Sequence, residues 1–138
     1  MATQKDVEKA LEFRMSEYKT AYPISIAYPT TSYDPVIGTS YFKIDYLHTA
    51  TSQVELGSAS ADRATGIYQI TLNVENNVGS AEATLLITQL KEYFRRGTVA
   101  SYNGVNVRIL GFYLGSSSSD GDWFREVINV VFRSDISN

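Results

Sequence analysis

The sequence predicts an α+β fold in which two helices pack on one face of a mainly antiparallel or mixed β-sheet of about six strands, with a long β-hairpin arm. Apolar residues recur at helical spacing in two segments only, and elsewhere they alternate with polar residues as in strands. The order along the chain is helix, three strands, helix, three strands. Because 138 residues contain neither an internal repeat nor a linker, we expect a single domain over residues 1–138.

The first helix is predicted over residues 3–18, where Thr3 can cap the first turn and Pro23 follows the last one. A short strand is predicted at residues 24–28, before an irregular loop that contains two prolines. One stripe along the helix is apolar and predicts its buried side: Val7, Leu11, Met15 and Tyr18.

Two longer strands are predicted at residues 40–49 and 66–74, because apolar and polar side chains alternate along both. We expect these strands to pair as a hairpin. The segment between them, residues 51–65, is small, polar and contains glycine, which indicates an extended arm or a mobile loop. We expect this segment to order only on assembly.

The second half of the chain begins with a helix that Ser80 can cap, that runs to about Phe94 and that Gly97 stops. Strands at residues 98–101 and 105–110 flank Asn103-Gly104, a sequence typical of a tight hairpin turn. The apolar stripe of the helix predicts its buried side: Ala83, Leu86, Ile87, Leu90 and Phe94.

The last part of the chain contains a polar, Ser-rich segment followed by an apolar one. Residues 112–114 either continue the preceding strand or begin a bulge, and residues 115–122 are predicted as a solvated Ser-rich loop. The last strand, residues 123–132, is apolar on both faces. It is therefore predicted to be central in the sheet, or to be covered on its second side by a partner.

Residues that carry reaction chemistry are sparse. No cysteine is present, which excludes disulfides and thiolate metal sites, and His48 is the only histidine. Two pairs of carboxylates, Asp120 with Asp122 and Glu55 with Asp62, lie in Gly/Ser-rich segments where such side chains are usually solvated. We expect no catalytic residue, metal or cofactor; the alternative is a small enzyme built on Asp120 and Asp122.

The charge and hydropathy of the chain limit its partners further. Twelve basic and fifteen acidic residues give a formal net charge of -3, so the chain is not expected to hold nucleic acid strongly. No apolar run reaches the roughly 18 residues of a membrane span, and the amino terminus is polar, unlike a signal peptide. The expectation is a soluble, unexported protein that makes no membrane contact.

Large apolar residues on the polar faces of the two helices are candidate subunit contacts. Phe13 lies opposite the apolar stripe of the first helix, and Leu85 lies among charged and amide side chains of the second. Each is also consistent with a single exposed apolar residue that has no function. Further candidates for a contact with another subunit or a partner are Arg95 and Arg96, whose charges also suit the end of a helix, together with Asp120 and Trp123.

Several short stretches occur in a characteristic order and spacing. They are Tyr46-Leu47, Leu56-Gly57, residues 63–70, residues 93–97, residues 102–105 and Asp122-Trp123. In this order the chain resembles the tail terminator, or tail completion, family of long-tailed bacteriophages. Together with the first helix, the resemblance spans nearly the whole chain.

The resemblance implies a structural protein of the virion, assembled in the host cytoplasm and located at the head–tail junction. Members of the family form a ring, commonly of six subunits, that seats on the last ring of the tail tube. The ring stops tube growth and presents a surface to the head connector, while DNA passes through its pore without specific binding. Two alternatives remain open: another neck component, such as a head-completion or stopper protein, and a generic adaptor.

Overall fold

The computed structural model describes residues 4–29, 40–48, 52–53, 61–75, 80–102, 104–121 and 123–137. Two helices, α1 and α2, and seven strands, β1 to β7, follow one another along the chain. In chain order they are α1 (Gln4–Ala21), β1 (Ser25–Ala27), β2 (Tyr41–His48), β3 (Ser52–Gln53), β4 (Ala61–Glu75), α2 (Ser80–Phe94), β5 (Val99–Tyr102), β6 (Val105–Asp120) and β7 (Trp123–Ser137).

The strands form one mixed sheet in the order β1-β2-β4-β7-β6-β5, and β3 pairs with the start of β4. Only β1 and β2 pair in parallel; the other neighbours are antiparallel. The strand β7 lies between β4 and β6, with β4 paired along its whole length. This confirms the prediction of a central last strand, because β7 has a neighbouring strand on each of its two edges.

Both helices cover the same face of the sheet, as predicted. The apolar stripe of α1 is fully buried, and it faces alternate residues of the strands, among them Phe42, Ile44 and Ile70. The helix α2 contributes Ala83, Leu90 and Phe94 to the same core. The other face of the sheet carries no described helix, and we call it the helix-free face.

Arg14 of α1 contacts the last turn of α2, in addition to the contact between the Tyr18 and Tyr93 rings. The Nε atom of Arg14 donates a hydrogen bond to the carbonyl oxygen of Tyr93, 2.8 Å away, in the last turn of α2. Its guanidinium also lies 4.9 Å from the centre of the Tyr93 ring. A charged donor at the carboxyl end of a helix satisfies one of the carbonyl groups that the helix leaves unpaired.

Two predicted loops are strands in part. Residues 115–120 belong to β6, and residues 117–120 pair with the start of β7, so the predicted Ser-rich loop is wrong over this range. Residues 61–65 belong to β4, whereas the arm or loop was predicted to extend to residue 65. In both places β7 supplies backbone partners. This pairing overrides the low strand propensity of Gly115 in one segment and of Ala61, Asp62 and Ala64 in the other. Residues 54–60 lie outside the described part.

The predicted turns follow their glycines. After α2, Gly97 has a φ of 92°, and Gly104, between β5 and β6, has a φ of 83°. Side chains other than glycine rarely adopt this conformation. The hairpin of β5 and β6 and the hairpin of β2 and β4 are both confirmed.

Candidate functional site

The residues predicted as contacts lie at the two ends of the sheet. The helix α2 starts beside the carboxyl end of β4 and runs toward β5, so Leu85 lies about 15 Å along the helix axis from Arg95. Trp123 begins β7 opposite Glu75, at the same end of the sheet as the start of α2. The structure therefore does not bring the predicted residues together into one cluster.

Phe13 belongs to the end of the sheet where β5 lies. Its side chain is 50% exposed, and its ring centre lies 6.4 Å from that of Tyr102 on β5. The neighbouring Arg14 binds the last turn of α2, which is followed by the exposed Arg95 and Arg96. This end of the molecule thus presents two aromatic rings, and two exposed arginines follow α2. Sequence analysis did not identify Tyr102 as a candidate contact.

The opposite end of the sheet carries the remaining candidates. Leu85 is 56% exposed on α2. Trp123 is only partly buried, and its ring meets that of Tyr41 edge to face at 5.3 Å on the helix-free face. Asp120 ends β6 directly opposite Trp123, and its side chain lies outside the described part of the chain.

The helix-free face combines polar pairs with apolar residues. Gln69 Nε2 donates to Asn129 Oδ1 at 3.1 Å, and Arg125 Nε donates to Asn73 Oδ1 at 2.9 Å. Between β6 and β7, Arg108 and Arg133 lie directly opposite each other and line a groove of about 350 Å³ with Val99, Asn106 and Ser134. No ion pair is found for either arginine among the described side chains.

Among the large apolar side chains in the described part, the two with the highest exposed fractions lie on β6. Sequence analysis did not place a site there. Tyr113 is 58% exposed and Leu114 is 57% exposed. Being adjacent in a strand, they project from opposite faces of the sheet. The signal was present in the sequence, because the consecutive residues Phe112, Tyr113 and Leu114 cannot all face one core.

Two tyrosines with raised pKa values, Tyr18 and Tyr46, pack beneath the helix α1. Burial raises the pKa of Tyr18 to about 12, and the nearby Tyr22 contributes. Burial also raises the pKa of Tyr46, with added effects from Tyr68 and from Glu12, whose Oε1 accepts its hydrogen bond at 2.9 Å. These groups pack between helix and sheet and line no described groove, so their shifts reflect folding.

The residues considered for reaction chemistry do not form a described site. Within the described residues no three His, Asp or Glu side chains are close enough to hold a metal ion. The side chains of His48, Asp62 and Asp120 lie outside the described part, as do Glu55 and Asp122 entirely. Neither described helix is long and apolar enough to cross a membrane.

A sheet covered by helices on one face only, with large apolar side chains left exposed at its ends and edge, defines an α+β protein with surfaces suited to contacts with other proteins. The chain belongs to the phage tail terminator family: the family model described as phage tail terminator protein matches residues 6–132. It is therefore a structural protein of the phage tail, which confirms the resemblance seen in the sequence.

Solved structures share the fold at low sequence identity. One chain has a TM-score of 0.73 and 18% identity, and the match covers 99% of this chain and 96% of that one. A second, from the virion of a native gene transfer agent (GTA) particle, has a TM-score of 0.59 and 14% identity, with coverages of 99% and 98%. No curated protein matches the chain.

Proposed function

We propose that the protein forms a homo-oligomeric ring, a hexamer, that caps the phage tail tube, stops its polymerisation and provides the surface to which the head attaches. The observation that carries this proposal is the family match over residues 6–132. A structural neighbour that comes from the virion of a gene transfer agent supports it at the level of the fold. The position is the head–tail junction of the virion, after assembly in the host cytoplasm.

The exposed apolar residues can form the contacts between the subunits of a ring. In a cyclic ring each subunit contacts the next through two different patches, one on each side. Phe13 with Tyr102 lies at one end of the sheet and Leu85 toward the other, so the protein offers two separate apolar patches. Burial of exposed apolar area is the main favourable contribution to such an association.

Capping then follows from shape. One face of the ring matches the end of the tube, whereas the opposite face does not match another tube subunit, so the addition of subunits stops. The second face is then available to a connector or neck protein of the head. With a net charge of -3 on each subunit, the ring has little affinity for the DNA that passes through its pore, because strong backbone binding requires many Lys and Arg contacts to phosphates.

The proposal is tested by adding the purified protein to polymerising tail tube protein and imaging the product by negative-stain electron microscopy. We expect tubes to stop growing and to carry a ring at one end only. In particles that lack the protein, we expect overlong or headless tails. Heads that leak DNA on normal tails would instead identify a stopper protein, and tubes unaffected by the protein would contradict the proposal.

A further inference from the structure

The outer edge of β6 is covered over only a quarter of its length. Of its sixteen residues, only Val105–Arg108 pair with β5, and Ile109 bonds to Gly97 and Thr98 beyond the end of that strand. Along residues 110–120 no described strand lies on this side, while β7 pairs on the other. Backbone N–H and C=O groups on the open side are therefore available to a further strand.

This open edge has the composition of a pairing strand. Residues 110–119 contain no charged residue and no proline. Proteins commonly protect exposed edges with lysine or proline, which would repel or interrupt an added strand. In the middle of the segment, Tyr113 and Leu114 place large exposed apolar side chains on its two faces. A strand that paired here would be flanked by apolar contacts above and below.

The opposite edge of the same sheet is also open. There β1 covers residues 41–43 of β2, and Tyr28 and Pro29 line one groove with Ile44 and Asp45. Residues 46–48 have no described strand on their outer side. Leu47 is 45% exposed and lies on the helix-free face, because the adjacent Tyr46 faces the helix α1. Tyr113 pairs with Asn129, which bonds to Gln69 on that face, so Leu47 and Tyr113 share one side of the sheet.

We infer that the open edge of β6, at residues 112–114, pairs with the open edge of β2, at residues 46–48, of a second copy of this chain. Because β2, β4, β7 and β6 are successively antiparallel, β2 runs antiparallel to β6. A second copy placed beside the first in the same orientation therefore forms an antiparallel ladder, the more stable kind. In this arrangement the helices of both copies stay on one side.

The pairing gives each subunit two different complementary edges, and this is the interface type that a ring requires. Leu47 of one copy and Tyr113 of the next become cross-strand neighbours on the helix-free face, where an aromatic–aliphatic pair adds to the stability. The inference deepens the proposed function and rests on it, since it names the contact by which the ring closes.

The test uses cysteine cross-linking. Because the chain has no cysteine, the introduced thiols are the only ones that can react. The variant Leu47→Cys/Tyr113→Cys is oxidised, with and without tail tubes. It is also treated with a longer thiol-reactive cross-linker that tolerates a shift of two residues in register, the smallest shift that keeps both thiols on one face. We expect a ladder of covalent oligomers on a denaturing gel. The two single variants should stay monomeric when separate and should give only dimers when mixed.

A matched control replaces Leu47 by an exposed position away from both edges. The pair Lys91→Cys/Tyr113→Cys carries the same number of thiols and should give no ladder, because Lys91 lies on α2. A second measurement uses light scattering, in which Leu114→Lys should reduce the oligomer to monomers while circular dichroism stays unchanged.

The outcomes separate the interface from the ring itself. If oligomers form on the tube and the Leu47 and Tyr113 thiols do not cross-link with either reagent, the edge pairing is wrong. The proposal that the protein forms a ring is then still supported. Cross-linking of either single variant by itself would indicate a symmetric contact and would also overturn the edge pairing. A protein that stays monomeric both free and with tubes would overturn the ring and the edge pairing together.

Discussion

Tyr18 places a polar hydroxyl group in the buried core. Its side chain is fully buried among aromatic rings, with centroid distances of 5.4 Å to Tyr22, 5.9 Å to Phe42 and 5.7 Å to Tyr93. The hydroxyl group has no hydrogen-bond partner in the described part of the chain. A buried polar group without a partner costs about 1–3 kcal/mol. The ring therefore stabilises the core while the hydroxyl group destabilises it.

We expect Tyr18→Phe to raise the free energy of unfolding by about 1 kcal/mol at neutral pH, because it keeps the ring and removes the unpaired hydroxyl group. Urea unfolding measures this. Tyr102→Phe, at an exposed position, is the control and should leave stability within about 0.5 kcal/mol of the parent. A clear loss of stability in Tyr18→Phe would show that the hydroxyl group has a partner after all.

The parent protein and Tyr18→Phe should also differ in how their stability depends on pH. Because the folded pKa of Tyr18 is raised from 10.0 to about 12, the folded protein holds this proton more tightly than the unfolded chain does. The corresponding stability is complete below pH 10 and is lost as the pH rises toward 12. Tyr18→Phe should therefore lose less stability across this window, as unfolding measured at several pH values would show.

The buried stripe of α1 shows what could be predicted from residues alone. Helical spacing identified Val7, Leu11, Met15 and Tyr18, and all four are fully buried. The pairing of Phe13 with Tyr102 could not be predicted, because it joins residues 13 and 102 through tertiary packing. Whether Phe13, Leu85, Arg95, Arg96, Asp120 and Trp123 contact other subunits or the tube stays a prediction.

Among the elements, α1 and α2 share one core, and Arg14 adds a polar contact between them. This side chain makes two contacts with Tyr93: a hydrogen bond to its carbonyl oxygen and a contact with its ring. Both contacts together require the planar guanidinium group. Arg14 also lies 3.6 Å from Glu17, but that pair is partly exposed to solvent and contributes little.

We expect Arg14→Lys to lower the free energy of unfolding by about 1–2 kcal/mol, because an ammonium group cannot reproduce the directed bond to the carbonyl oxygen. Glu17→Gln is the matched control: it removes only the exposed ion pair and should cost less than about 0.5 kcal/mol. Both are measured by urea unfolding. Equal effects of the two substitutions would assign the stabilisation to the ion pair and contradict the helix-joining role.

The strands show where prediction from sequence stops. Alternation of apolar and polar residues identified β2 and most of β4, because their pattern is set by one buried face. The Ser-rich half of β6 carries no such pattern, since its serines are exposed and its strand geometry depends on pairing with β7. Sequence reasoning therefore missed the open edge that the interface proposal uses.

At the scale of the whole molecule, the exposed apolar patches on the helices should matter for assembly and little for folding. Phe13 and Leu85 are both at least half exposed, so a charge at either position remains solvated in the monomer. At a subunit contact the same charge would be buried without a partner.

We therefore expect Phe13→Asp and Leu85→Asp to weaken the ring and to spare the fold. Light scattering should show a lower mass at equal concentration, and thermal unfolding of the monomer should shift little. Thr20→Asp, at another exposed position of α1, is the control and should assemble normally. An unchanged mass in both test variants would remove these two residues from the interface.

The bulges of β6 have a consequence for the size of any edge-paired assembly. At two places, between Ile109 and Gly111 and between Leu114 and Ser117, β6 holds one residue more than β7 does. An extra residue bends a strand and increases its twist. Each copy added along the edge would repeat the same bend, and so the accumulating curvature favours a finite, self-closing assembly over the straight cross-β filaments that flat open edges produce.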